Sequence, residues 1–154
     1  MTHQTSRPNA EATDLEAFIH RCQEGLRHQV QGDSEPFLEV WSHADDVAIL
    51  GAIGSYARGW EDVKTHLLAA AENLDWTSVS VETIVTLTAD ELAVSVALER
   101  MTREVKGEAD ARTLRATHAY RHERGGWRLI LRHANQVTPE DEDRERAILG
   151  HEPG

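Results

Sequence analysis

Nine histidines in a chain of 154 residues, four tryptophans and a single cysteine are the side chains here that could do chemistry. Their richest concentration is the stretch Ala111 to Val137, ARTLRATHAYRHERGGWRLILRHANQV, with His118, Tyr120, His122, His133 and Asn135. A neutral imidazole accepts or donates a proton near physiological pH with little tuning. A His pair beside a Tyr or Asn donor could therefore supply a base and a polarising hydrogen bond. The same groups could equally hydrogen-bond to backbone and to one another inside a packed interior. A metal centre is poorly supported by spacing. His118 and His122 on one strand would stand roughly 13 Å apart at ~3.3 Å per residue, against zinc–imidazole bonds of about 2 Å. His118 with His133 is feasible, but no third ligand is evident, so neither a metal nor a cofactor is expected.

These side chains have to be positioned by a β-hairpin. Two runs of strand composition meet at Glu123-Arg124-Gly125-Gly126, and paired glycines accept the positive φ of tight turns. A two-residue turn at Arg124-Gly125 sets His122 opposite Trp127, Tyr120 opposite Leu129, His118 opposite Leu131 and Leu114 opposite Asn135. One face then carries Leu114, Ala116, His118, Tyr120, Trp127, Leu129, Leu131, His133 and Asn135, which is mostly apolar, like a pocket wall. The other carries Thr113, Arg115, Thr117, Arg121, Arg128 and Arg132, a basic stripe suited to cross-strand ion pairs or to a dimer interface. A one-residue slip would exchange faces and could turn Arg115 inward toward a ligand carboxylate.

Upstream, residues 1–12 are polar and aperiodic, and read as a flexible arm. Thr13-Asp14-Leu15-Glu16 matches a capping box, followed by Leu15, Phe18, Ile19, Cys22, Leu26 and Val30 at helical spacing. Ser34 and Pro36 open a short second helix ahead of Phe37, Leu38, Val40 and Trp41. Val47 to Leu50 reads as a strand, and Gly51 to Gly59 as a bent loop or small hairpin around Tyr56. Trp60, Val63, Leu67, Ala70, Ala71 and Leu74 mark a third helix. From Asp75 the period changes to two, giving strands Trp76 to Thr88 and Leu92 to Val105 and then the hairpin. Three helices followed by four long antiparallel strands make an α+β domain over residues 13–137. Residues 138–154 are charge-dense and read as a solvated tail, with a short helix opened by Pro139 as the alternative.

Composition narrows the partners. A formal charge of -11, from 16 Lys plus Arg against 27 Asp plus Glu, argues against nucleic acid and anionic membrane. No apolar run is long enough to span a bilayer, the first residues lack a secretory core, and the lone Cys22 falls on the apolar face of the first helix. A cytoplasmic location is the expectation, with Cys22 a buried core residue.

The element order, together with DDVAILGAIGSYARGWEDVKTHL and LRATHAYRHERGGWRLILRHANQ, resembles the SnoaL-like branch of the nuclear transport factor 2-like superfamily. The carriers are Gly59-Trp60 before the third helix, Arg115 and Thr117, Gly126-Trp127 at the last turn, and His133 near the end of the last strand. The resemblance covers about Asp14 to Val137. It implies a cone-shaped half-barrel, a bent sheet wrapped round a long helix with a cavity between, and dimerisation through the outer sheet face. It does not transmit a function, since such proteins range from ketosteroid isomerases, cyclases and epoxide hydrolases to noncatalytic domains. The steroid-isomerase pattern needs a carboxylate near the end of the first strand. Here Leu50 and Gly51 stand there, Val47 to Trp60 holds no acidic group before Glu61, and the first helix has no tyrosine.

Two expectations follow. One is a homodimer whose cone holds a small organic ligand against Trp41, Tyr56, Trp60, Tyr120, Asn135 and Arg115, with Arg58 and His43 nearby. His118 and His133 would then support isomerase, cyclase or hydrolase chemistry without a cofactor. The other is a noncatalytic dimerisation or accessory domain.

Overall fold

Helix α1 (His3–Val30) turns Leu15, Phe18, Cys22, Leu26 and Val30 to one side, and all five are buried. The structure, a computed structural model, describes residues 3–52 and 54–150, with side chains from Asp14 onward apart from Leu149. Because α1 begins at His3, the Thr13-Asp14-Leu15-Glu16 box lies inside the helix and not at its start. Ala10, Glu11 and Ala12 favour helix, so the backbone has no reason to break there. Of the expected flexible arm, residues 1 and 2 and the side chains of 3–12 lie outside the described residues.

A single turn, α2 (Glu35–Leu38), crosses α1 with Pro36 in its first turn. The crossing depends on Gly25: a Cβ there would stand 2.9 Å from Phe37 Cα and 3.0 Å from the Pro36 carbonyl oxygen. Ser34 sits at the N-cap position but makes no capping bond, and its hydroxyl donates to the Leu67 carbonyl instead (3.2 Å).

Strands β1 (Ala48–Leu50) and β2 (Tyr56–Arg58) form the small hairpin, and α3 (Trp60–Ala71) follows with Val63, Leu67 and Ala71 buried. Four long strands come next: β3 (Ser78–Ala89), β4 (Leu92–Val105), β5 (Glu108–Glu123) and β6 (Gly126–Val137). They join the short pair in one six-stranded sheet of order β2-β1-β6-β5-β4-β3, antiparallel except where β1 runs parallel to β6. The inward residues of β4 include Ala93, Ser95 and Ala97, small enough for α1 to approach the concave face. Phe18 of α1 meets Tyr120 of β5 edge to face, centroids 6.0 Å apart.

Two bulges bend the sheet. Ile84 is an extra residue in β3 and Ile130 an extra residue in β6. Each raises the local twist and exchanges the faces of the strand beyond it. The effect at Ile130 corrects the expected register. His122 opposite Trp127 and Tyr120 opposite Leu129 hold, but past the bulge His118 lies opposite Arg132 and Leu114 opposite Gln136. Arg132 therefore points into the cone, 7% exposed, while His133 and Asn135 are exposed on the convex side with Arg115.

A further helix adds to the expected three. Helix α4 (Pro139–Leu149) starts at Thr138, whose Oγ1 accepts from the Asp141 N–H (3.1 Å). It lies against the convex face through Glu142, which accepts from Arg100 Nε (2.8 Å) and Thr113 Oγ1 (2.7 Å), and through Glu145, paired with Arg115 (2.7 Å). The charge density that reads as a solvated tail is used to dock this helix.

Candidate functional site

Two helices each break an apolar stripe with one polar residue. Gln29 follows Leu26 by three positions on α1, and His66 follows Val63 by three on α3, so both face the sheet. Between them lies a cavity of ≈ 160 Å³, walled mainly by Leu26, Phe37, Ile49, Leu67, Trp76 and Leu114. It reaches the surface beside Arg112 and Gln136, both exposed. At this mouth the Arg103 guanidinium lies 4.3 Å and that of Arg112 5.5 Å from the Trp76 ring centroid.

Polar groups enter the cavity from three sides. Gln29 is 3% exposed; its Nε2 donates to the Leu67 carbonyl (2.9 Å), and its Oε1 has no hydrogen-bond partner. His66 Nε2 stands 3.4 Å from the Ser55 hydroxyl oxygen, held there by the tight loop between β1 and β2. Burial lowers the His66 pKa below the usual imidazole range, because the charged form would lose solvation, so the ring is neutral at pH 7 and able to take a proton. Arg132 supplies the third side, from β6.

The charge of Arg132 is matched from behind. Its Nη1 and Nη2 donate to the two carboxylate oxygens of Glu99 at 2.7 and 2.8 Å, and Nη1 also reaches His118 Nε2 at 2.9 Å. A guanidinium can only donate, which assigns the Nε2 of His118 as acceptor and its Nδ1 as the protonated nitrogen. Tyr120 Oη lies 3.4 Å from that Nδ1 and 2.8 Å from the Ser95 hydroxyl, which closes the chain of contacts. Burial alone would raise the Glu99 carboxyl, but the Arg132 guanidinium holds it below the ordinary carboxylate range. His118 is pushed down to about 4, first by burial and then by the adjacent Arg132 charge.

The residues expected from sequence fall elsewhere. His118 and Tyr120 belong to the buried network and do not line the cavity. Trp41 is buried edge-on to Phe37, and half-buried Trp60 stacks on the exposed His43 ring at 4.2 Å between centroids. Tyr56 is 63% exposed on the edge strand, with Arg58 exposed beside it. His133, Asn135 and Arg115 sit on the convex face. The polar residues set into the cavity away from its mouth, Gln29, Ser55, His66 and Arg132, are not among those expected to face it. A polar side chain at a stripe position of an amphipathic helix would have found Gln29 and His66; no such signal exists for Arg132, which the bulge turns inward. Among the described residues no three His, Cys, Asp or Glu side chains converge on a metal position.

The convex face has its own character. Beyond the bulge at Ile84, Val85 and Leu87 turn outward beside Leu92, Val94 and Val96, with Leu131 across β5. Leu87 and Leu92 are more than half exposed, so this is an apolar patch spread over several strands.

This architecture recurs in solved structures. A calcium/calmodulin-dependent protein kinase type II association domain, so described, from Thiobacillus denitrificans superposes with a TM-score of 0.69 at 19% identity, covering 80% of this chain and 94% of that one. A protein described as a dehydratase of the nuclear transport factor 2-like family, from Streptomyces avermitilis, gives 0.68 at 16% identity over 84% and 98% of the two chains. A ketosteroid isomerase-like protein from Erwinia carotovora atroseptica gives 0.68 at 15%, over 85% and 99%. At these identities the likeness is one of fold. No curated protein matches the sequence. The SnoaL-like domain family matches residues 20–138, from the middle of α1 through the last strand, and the chain belongs to that family.

Proposed function

We propose that the protein binds a small, mainly apolar organic molecule in the cavity between α1, α3 and the concave sheet, with His66 as the group able to exchange a proton with it. The observation that carries this reading is an apolar cavity of ≈ 160 Å³ lined by a neutral imidazole. Isomerase, cyclase or hydrolase chemistry without a cofactor fits one base in such surroundings. His118 enters as a positioning residue, since it holds Arg132 at the cavity wall and touches no ligand itself. A cytoplasmic location accords with the single buried Cys22. No described helix is long and apolar enough to cross a membrane.

Trp76 lines the cavity and reports on it. Titration of wild-type protein with small aromatic and alicyclic compounds should change its fluorescence saturably, and Ala70→Trp, which fills the space, should abolish the response. Any turnover found among those compounds should fall at least a hundredfold in His66→Gln. Identical titration curves for wild type and Ala70→Trp would remove the cavity as the site.

The second reading is association through the convex face, favoured by the apolar patch from Val85 to Leu131 and by the fold shared with association domains. His133, Asn135 and Arg115 would border that interface. Sedimentation should give a dimer for wild type and a monomer for Leu87→Glu; a monomeric wild type at high micromolar concentration would end this reading.

A further inference from the structure

We infer that Arg112 is a specificity-determining residue at the mouth of the cavity: its guanidinium binds the carboxylate of a small organic acid whose apolar ring occupies the cavity, so that the acid is selected over its neutral amide. This deepens the cavity reading proposed above by naming the ligand class, and it rests on that reading.

The register of the sheet places Arg112 there. Leu114 is buried on the concave side, and Arg112 precedes it by two residues on β5, so the two share that face. Gln136 of β6 lies opposite Leu114, and Met101 of β4 lies opposite Arg112. All four border the cavity: Leu114 and Met101 are buried in its wall, whereas Arg112 and Gln136 are exposed where it opens. The Arg112 guanidinium lies 5.5 Å from the ring centroid of Trp76, itself a wall of the cavity, and this contact holds the charge against the cavity's edge. Arg115, at odd spacing from Leu114, falls on the convex face and is paired with Glu145.

Of the two arginines that line the cavity, Arg112 is the one with its charge uncommitted. Arg132, at the inner wall, gives both of its Nη groups to Glu99. Arg103, which also covers Trp76, donates to Asp110 at 2.9 Å and to Asp75. Both carboxylates of the rim are thereby occupied, and among the described residues none is paired with Arg112. His66 is neutral at pH 7 and adds no charge. With a formal net charge of -11 the overall field of the protein repels anions, so a preference for a carboxylate has to come from direct contact. A guanidinium fork provides that contact, since it matches a carboxylate through two parallel hydrogen bonds. A space of ≈ 160 Å³ holds about one six-membered ring, which leaves a charged substituent at the mouth, where the Gln136 amide is a further donor.

Benzoate and phenylacetate, each against its neutral amide, are the probes, titrated calorimetrically at about pH 7 into wild type, Arg112→Gln and Arg112→Lys. In wild type the acid of the better-fitting pair should bind more tightly than its amide, and added sodium chloride should narrow that preference. The preference, taken as the ratio of the two dissociation constants, should fall roughly tenfold in Arg112→Gln, the worth of one charge-assisted hydrogen bond. It should fall by less in Arg112→Lys, which keeps the charge and loses the fork. Arg112 is exposed, so both variants should fold, and the salt response of wild type tests the same contact without any substitution. Ala70→Trp, which fills the space, should abolish binding of the acid. An unchanged ratio in Arg112→Gln, or no preference for the acid in wild type, overturns the inference while leaving the cavity as a binding site. Acid binding that survives Ala70→Trp also overturns it, since the carboxylate would then be held at the surface with no ring inside. Failure of all four compounds to bind wild type overturns the cavity reading and the inference together.

Discussion

Arg132 grips Glu99 through two parallel hydrogen bonds of 2.7 and 2.8 Å inside the cone, with both side chains more than nine-tenths buried. An arginine on a period-2 strand in an acidic protein reads as an outward cation. It points inward because Ile130 adds one residue to β6 between Leu129 and Leu131 and exchanges the faces of everything after it. The inward charge is tolerable only because Glu99 of β4 and His118 of β5 meet it there.

Removing either member of the pair leaves the other charged and unpaired in a water-poor interior. Arg132→Met and Glu99→Leu should each lower unfolding free energy by about 3–5 kcal/mol, while the two combined should be more stable than either single variant. Urea denaturation of the four proteins makes this cycle. Single losses below about 1 kcal/mol would mean that the pair is not desolvated.

His118 gives the stability a pH dependence with a defined sign. In the unfolded chain its imidazole takes a proton near the ordinary value of 6.5, whereas in the folded protein it does so only at about 4. The unfolded state therefore binds the extra proton throughout that window. Stability should be level above pH 6.5 and should decline as pH falls toward 4, by on the order of 3 kcal/mol in all. His66, lowered in the same direction, adds to the decline. Chemical denaturation at about pH 7 and pH 4.5 should show the loss, and His118→Gln should show less of it. A slope unaltered in His118→Gln would place the effect elsewhere.

Gly25→Ala should be costly although alanine is the better helix former. The added methyl meets the backbone of α2 at 2.9 to 3.1 Å, and backbone cannot swing aside as a side chain can. A loss of about 1–3 kcal/mol, read as a fall in thermal midpoint, is expected from overpacking. A rise in midpoint would show that α2 shifts freely on α1.

Glu142 pins α4 to the convex sheet. Burial alone would raise its carboxyl, but hydrogen bonds from Arg146, Arg100 and Thr113 hold it down to about 2. Its contribution is thus complete above the ordinary value of 4.5 and is lost as pH falls toward 2. Glu142→Gln should cost about 1 kcal/mol, since the site is at the surface. Limited proteolysis at neutral pH should cut within α4 faster in that variant than in wild type; equal rates would show that Glu145 and Arg115 suffice.

Local patterns in the chain determined the elements and the family. The apolar repeat Leu15, Phe18, Cys22, Leu26 and Val30 fixes the buried side of α1, because a 3.6-residue period leaves a helix no other way to hide those side chains. The glycine pair after Arg124 sets the final turn, and alternation identifies four long strands. Tertiary structure decided which side chains meet. The two inserted residues, Ile84 and Ile130, carry no signature in a local pattern, yet each inverts the faces of its strand, because side chains alternate every residue. One insertion sends His133 and Asn135 outward and brings Arg132 in. The cavity groups come from residues 29, 55, 66 and 132, distant in the chain and joined only when α1 and α3 close on the concave sheet. Periodicity acts over a few residues; a site assembled across a hundred depends on registers that only the closed fold sets.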